Sequence, residues 1–136
     1  MNKSELINEA LKAKEMAYVP YSNFHVGAAL LTEDGELFTG CNIEIASYSP
    51  TICAERTAIF KAVSQGHRKI KEIAVVGDSN YSYPCGVCRQ VLREFGQDAT
   101  IYVANSQDDY KEYKLEELLP NSFGPDDLKE KGGKGV

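Results

Sequence analysis

No stretch of this 136-residue chain approaches the ~20 consecutive apolar residues that a membrane span needs. Met1 to Glu15 is polar and amphipathic, without the apolar centre of a secretory leader. A surplus of positive charge is also missing: the formal net charge is −5, and the one basic cluster, His67-Arg68-Lys69 with Lys71, reads as a solvated turn. Proteins that bind nucleic acid draw most of their affinity from neutralising phosphates, so a polynucleotide partner is not expected. Cysteine is scarce, at four residues. In a chain expected to be cytoplasmic these read as metal ligands or buried thiols and not as disulfides, because that compartment keeps thiols reduced.

What remains is the composition of an ordinary globular protein, 43% hydrophobic and 26% charged. The length suits one hydrophobic core and is short for two. Residues 1–128 are therefore expected to form one domain, with a Lys- and Gly-rich tail, 129–136, that frays. Asn2 and Glu5 have capping-box spacing, and Leu6, Ala10, Ala13 and Ala17 continue at helical period until Pro20. Phe24 to Thr32, the turn Glu33-Asp34-Gly35 and Leu37 to Ile45 read as a hairpin. Ala54, Ala58 and Ala62 give the next helix a face small enough for close contact with a sheet, and Gly66 stops it. Strands follow at Glu72 to Gly77 and Thr100 to Ala104, with a helix between them ending at Gly96. Tyr110 to Lys114 reads as an edge strand and Leu115 to Leu119 as a short helix. The order predicts an α/β fold: a single three-layer αβα domain whose mixed sheet of about five strands carries helices on both faces.

The chemistry is concentrated in Cys53-Ala54-Glu55 and Pro84-Cys85-Gly86-Val87-Cys88. Three residues apart at the start of a helix, Cys85 and Cys88 can grip one ion, and helix N-termini favour the thiolates that a metal needs. With Cys53 they make three ligands for zinc, leaving a tetrahedral position for water, whose pKa the metal lowers toward about 7. Three thiolates on Zn2+ leave a formal charge of −1, and Arg56, one turn after Cys53, is the cation placed to offset it. Glu55 can face the open position and shuttle protons only if Cys53 sits at the helix cap, outside helical geometry. Two other readings stay open. Cys85-Gly86-Val87-Cys88 alone also suits a redox dithiol, and Cys41 could close a structural site as a fourth ligand, although it reads better as a small buried hydrophobe.

These motifs resemble the zinc nucleobase deaminases, with Cys53 where many members carry His. More specifically the chain is similar to the small homotetrameric cytidine deaminases from about Asn2 to Leu128. The resemblance runs through Tyr21-Ser22-Asn23-Phe24, Val26-Gly27-Ala28-Ala29-Leu30, Gly40-Cys41-Asn42-Ile43-Glu44, the two cysteine motifs (the second continuing into Arg89-Gln90), and Leu118-Leu119-Pro120-Asn121-Ser122-Phe123-Gly124-Pro125. It implies one zinc per chain on Cys53, Cys85 and Cys88, with Glu55 moving protons as water replaces the amino group at C4 of cytosine. Cytidine and 2′-deoxycytidine would become uridine and 2′-deoxyuridine, in pyrimidine salvage. It further implies that Phe24 and Ala54 line the base pocket, that Asn42 and Glu44 hold the ribose hydroxyls, and that Arg56 with Gln90 balances the thiolates. Tyr48 and Phe123 would reach an active site across a subunit boundary in a homotetramer. A deaminase of another small cytosine compound, such as a blasticidin-type nucleoside, would share the metal motifs. The chain departs from the family pattern at Ser79-Asn80-Tyr81-Ser82-Tyr83, a short, tyrosine-rich approach to Pro84, and at the stiff Ser49-Pro50 before Cys53. His25 and His67 match no ligand position.

Overall fold

A computed structural model describes residues 1–129. Ten elements follow in order: α1 (Lys3–Lys14), β1 (Val26–Thr32), β2 (Leu37–Cys41), α2 (Ala54–Ser64), β3 (Ile70–Gly77), α3 (Gly86–Phe95), β4 (Thr100–Ser106), β5 (Asp109–Lys114), α4 (Leu115–Leu118) and α5 (Pro125–Lys129). The strands form one sheet in the order β2-β1-β3-β4-β5. Only β3 and β4 run parallel, joined by α3 as a crossover; the other three pairings are antiparallel.

Successive side chains of a strand point to opposite faces, so a sheet covered on both sides needs nearly continuous apolar strands. β1 and β3 show this. Ala28, Leu30, Ile73 and Val75 pack with Ala58, Ile59 and Ala62 of α2, Leu92 of α3 and Leu115 of α4. Their neighbours Ala29, Leu31, Ala74 and Val76 pack on the opposite face with Leu6, Ile7 and Ala10 of α1. The three-layer arrangement read from the sequence is thus the observed one, with α1 alone on its side. The tail expected to fray lies, from residue 130 on, outside the described residues.

The ends of some elements differ from expectation for local reasons. The Asn2 capping box forms in both directions, Asn2 Oδ1 accepting from Glu5 N and Glu5 Oε1 from Asn2 N, each at 2.9 Å. But α1 stops at Lys14 and does not run on to Ala17, because Tyr18 leaves to pair with Ile43, its N–H donating to Asn42 O at 3.0 Å. β2 likewise ends at Cys41 and not at Ile45. Ile43 bridges both Tyr18 and Ile52, while Asn42 turns toward β1. The helix α5 carried no periodic signal in the sequence, being only five residues long.

Two glycines bring helices onto the sheet. A Cβ at Gly40 of β2 would lie 2.5 Å from Ala58 N and 2.6 Å from Ala54 O, so the small face of α2 rests on bare backbone there. At Gly27 of β1 a Cβ would come within 2.8 Å of Lys14 Cα. The Gly40 contact fixes the first turn of α2, and with it Cys53.

Asp78, just past β3, fastens three segments. Its Oδ2 accepts from His25 N at 2.6 Å and pairs with His25 Nδ1 at 2.7 Å, and its Oδ1 lies 3.2 Å from Lys14 Nζ. The backbone N–H of His25, then its ring, then the Lys14 ammonium pull the Asp78 carboxyl from its ordinary 3.8 down to about 2. The tie holds Phe24 at the entrance of β1.

Gly40→Ala should lower folding stability by about 2 kcal/mol through overpacking and reduce the metal content of the folded fraction; denaturant titration and metal analysis would check both. Because the folded-state pKa of Asp78 is depressed, its stabilisation is present above pH ~4 and disappears as pH falls through about 2. Asp78→Asn should therefore be less stable than the parent at pH 7, and the two urea midpoints should converge near pH 2.

Candidate metal and substrate site

Cys53 is the N-cap of α2, with extended backbone (φ −76°, ψ 155°), and Cys85 is the N-cap of α3 (φ −68°, ψ 169°). The cap conformation required of Cys53 is therefore present, which lets Glu55 and Cys53 point the same way. The Cys85 sulfur acts as the cap acceptor, taking Cys88 N–H at 3.4 Å. Sulfur atoms of Cys53, Cys85 and Cys88 all lie within 4.8 Å of one another, with Cys53 and Cys85 at 3.7 Å and Cys85 and Cys88 at 3.3 Å. Cys41 stands outside this cluster, half-buried, its thiol pKa pushed up by burial. A four-cysteine closed site is thus not what the fold assembles.

Charge explains why such a cluster wants a cation. The neighbouring Cys88 thiol and the Arg56 guanidinium, whose Nη2 lies 3.3 Å from Cys53 Sγ, pull the Cys53 pKa down to about 5. Cys88 is pushed strongly upward by its hydrogen bond with Cys53, by burial and by the Glu55 carboxyl. Three sulfurs this close resist ionising together unless a positive ion sits among them, and an all-thiolate donor set selects a soft or borderline metal such as zinc. The donor chemistry therefore fits the ion that the spacing predicted.

Glu55, only 3% exposed, has its pKa raised to about 7, chiefly by burial and then by the Cys53 charge. A cation among the thiols would draw that value down. A raised proton affinity of this kind suits a buried carboxyl to gain or lose a proton near neutral pH. A cavity of about 160 Å3 opens beside it, lined by Phe24, Val26, Asn42, Cys53, Ala54, Glu55, Val75, Ser82, Tyr83 and Cys85. Six of the residues expected at the site (Phe24, Asn42, Cys53, Ala54, Glu55 and Cys85) thus meet at one opening. Glu44 lines a separate, mostly apolar groove with Tyr21, Ser22, Tyr48 and Thr51.

Asn42 and Glu44 both turn toward residues 21–26. Asn42 Oδ1 accepts from Val26 N at 2.9 Å and Nδ2 donates to Phe24 O at 2.8 Å. Glu44 Oε1 accepts from Tyr21 N and Ser22 N at 3.0 and 3.1 Å, and Oε2 from the Ser22 hydroxyl. Each keeps hydrogen-bonding capacity in reserve: one N–H of the amide, and a free lone pair on Oε2.

Tyr48 and Phe123 do not enter this chain's own cavity. They are 75% and 52% exposed, and Tyr48 holds a left-handed φ of +64° that thrusts it outward, so neither is a core aromatic. Gln90, on the helix that carries Cys88, donates from Nε2 to Phe123 O at 2.8 Å. His25 and His67 pair with Asp78 and Asp34.

The sequence singles out Ser79–Tyr83 as an unusual segment at the pocket rim without separate roles for Ser82 and Tyr83, and it gives none to Arg89. The first two line the cavity, and adjacency to Pro84-Cys85 was the signal that could have found them. Arg89 braces the entry to α3, donating from Nε to Pro84 O at 2.7 Å and from Nη1 to Leu118 O at 2.8 Å.

Comparison with known proteins agrees with this geometry. The family model described as "Cytidine and deoxycytidylate deaminase zinc-binding region" matches residues 1–104. A cytidine deaminase of Sporosarcina psychrophila is 52% identical over 130 residues, 94% of this chain and 96% of the relative, and one of Halalkalibacterium halodurans is equally identical over 94% and 98%. Among solved structures, the cytidine deaminase of Burkholderia pseudomallei superposes with a TM-score of 0.86 at 47% identity, covering 90% of this chain and all of that one. The Mycobacterium tuberculosis enzyme gives 0.79 at 38%, covering 91% and 98%. The matched region contains both cysteine elements, and the chain belongs to the cytidine and deoxycytidylate deaminase family that carries this zinc-binding region.

Proposed function

We propose that this protein is a zinc-dependent cytidine deaminase, converting cytidine and 2′-deoxycytidine with water to uridine and 2′-deoxyuridine and releasing ammonia. The observation that carries this reading is a buried carboxylate, Glu55, at the mouth of a three-thiol cluster that shares one cavity with Phe24 and Asn42. Cys53, Cys85 and Cys88 would hold one zinc per chain. Zinc bound by three protein ligands lowers the pKa of water toward about 7 and so supplies hydroxide at neutral pH.

The rest belongs to the side chains. Glu55 takes the proton of the attacking water and passes it to N3 of the ring while oxygen bonds to C4, then moves the second proton to the departing amine. Its burial keeps bulk water from intercepting either proton. Arg56 holds the Cys53 sulfur and offsets part of the thiolate charge. Phe24 and Ala54 border the base, and its aromatic edge suits a flat pyrimidine. The spare N–H of Asn42 and the spare lone pair of Glu44 form a donor and acceptor pair for ribose hydroxyls, which favours a nucleoside over a free base. Glu44 is held ionised for this task by the Ser22 hydroxyl and backbone, which lower its pKa.

Tyr48 and Phe123 are exposed aromatics with no partner side chain in the cavity of their own chain, as expected of residues that complete a neighbour's site in a homotetramer. None of the described helices is long and apolar enough to cross a membrane, and a cytoplasmic salvage role suits thiols that must stay unoxidised to hold a metal.

Incubation of the zinc-replete protein with cytidine should yield uridine and ammonia in equal amounts; no conversion overturns the reading. Glu55→Gln should keep the zinc and lose about 10²–10⁴-fold in kcat, measured by absorbance change against metal content. Arg56→Ala should cost about tenfold in turnover with a smaller loss of zinc, as for other partners of ligating groups.

A further inference from the structure

Burying a charge is costly unless the protein pairs it, so each buried ionisable group asks for a reason. The buried polar or charged side chains among the described residues are Thr32, Glu55 and Arg93. Thr32 closes the β1–β2 turn through Asp34 and Glu36, and Glu55 carries protons. Arg93, 8% exposed, has no part in the chemistry above.

Arg93 follows Gln90 by three positions and Arg89 by four, so the three share one side of α3. All of them reach the same later stretch of chain. Arg89 Nη1 and Gln90 Nε2 donate to the carbonyls of Leu118 and Phe123. Arg93 donates from Nε to Ser122 Oγ at 2.9 Å and from Nη2 to Asp126 Oδ1 at 2.8 Å. Gly124 lies so close to the guanidinium that a Cβ there would come within 2.4 Å of Arg93 Cζ.

These contacts bracket Phe123. Ser122 before it, and Gly124 and Asp126 after it, meet one planar group, and its own carbonyl goes to Gln90, while its ring stays exposed. No helix or strand covers residues 119–124, and Asn121 takes a left-handed φ of +54°, so regular backbone pairing does not fix this stretch. Side chains of α3 do so instead.

We infer that Arg93 is a positioning residue for the reaction: it fixes the direction in which Phe123 is presented and so acts, through that ring, on the pyrimidine bound by a neighbouring subunit. The inference rests on the reading above that Phe123 completes a neighbour's site. Helix α3 then serves two sites, Cys85 and Cys88 at its start for its own chain and Arg93 near its end for the next. An aromatic packed on the base stabilises bound substrate and transition state alike, so loose presentation raises KM and spares kcat.

The test measures kcat and KM for cytidine, zinc content, oligomeric size and melting temperature in the zinc-loaded parent, Phe123→Ala, Arg93→Ala, Gly124→Ala and the double variant Arg93→Ala/Phe123→Ala. Phe123→Ala and Arg93→Ala should each raise KM about tenfold, the scale of base stacking on an aromatic, with kcat within about twofold and zinc and assembly unchanged. Gly124→Ala deletes no hydrogen bond and should raise KM likewise by displacing the guanidinium; it decides the matter if Arg93→Ala does not fold. In the double variant the Arg93 change should still lower the melting temperature but add nothing to KM, because its effect passes through the Phe123 ring. An unchanged KM in Arg93→Ala or, where that variant does not fold, in Gly124→Ala overturns the role of Arg93, as does a full further rise in the double variant or a fall in kcat with loss of zinc or of assembly. Phe123→Ala with the parent's KM overturns the reading of Phe123, and absence of cytidine turnover by the parent overturns the deaminase reading itself.

Discussion

Two helix N-termini converge on one small volume, and the site depends on that convergence. Cys53 and Cys85 occupy equivalent places, each the last extended residue before a helix begins, so each sulfur lies where unpaired backbone N–H groups favour negative charge. Cys88 follows within the first turn of α3. No single segment of chain could gather three thiols at this spacing and leave one side open; the sheet does it by delivering two helices to the same edge.

The surroundings then divide the electrostatic work. Arg56 meets the sulfurs from the α2 side, burial raises the proton affinity of Glu55, and the peptide groups of residues 21–26 occupy part, though not all, of the hydrogen-bonding capacity of Asn42 and Glu44. Polar groups that are half satisfied by the protein are rigid before substrate arrives and still able to bind it. That is the form of preorganisation expected where orientation, more than raw affinity, sets the rate.

Much of this could be read from the chain because each feature rests on local rules. Asn2 with Glu5, the Glu33-Asp34-Gly35 turn and the Ala54, Ala58, Ala62 face depend on neighbours one turn or one hairpin away, and all three form as read. The demand that Cys53 leave helical geometry came from side-chain direction alone. What escaped depends on long-range partners. The early end of α1 reflects Tyr18 pairing with Ile43, and the path of Ser82 reflects a left-handed Tyr81 held by Asn105, neither of which has a local sequence signature. The partner of Gln90 is equally distant: its amide donates to the Phe123 carbonyl, a contact spanning 33 positions.

The parallel pairing of β3 with β4 has a consequence for how the metal is acquired. Parallel strands need a crossover, and here the crossover helix carries two of the three thiols while the third waits on α2, before β3. In an unfolded chain Cys85 and Cys88 are three residues apart and can chelate an ion by themselves, whereas Cys53 must close a loop of more than thirty residues, at an entropic cost, to join them. Metal captured early would thus be held by two ligands until the centre of the sheet assembles. A three-thiol site could be completed only once the β3–α3–β4 unit has docked against α2, so full occupancy by an ion would report that docking.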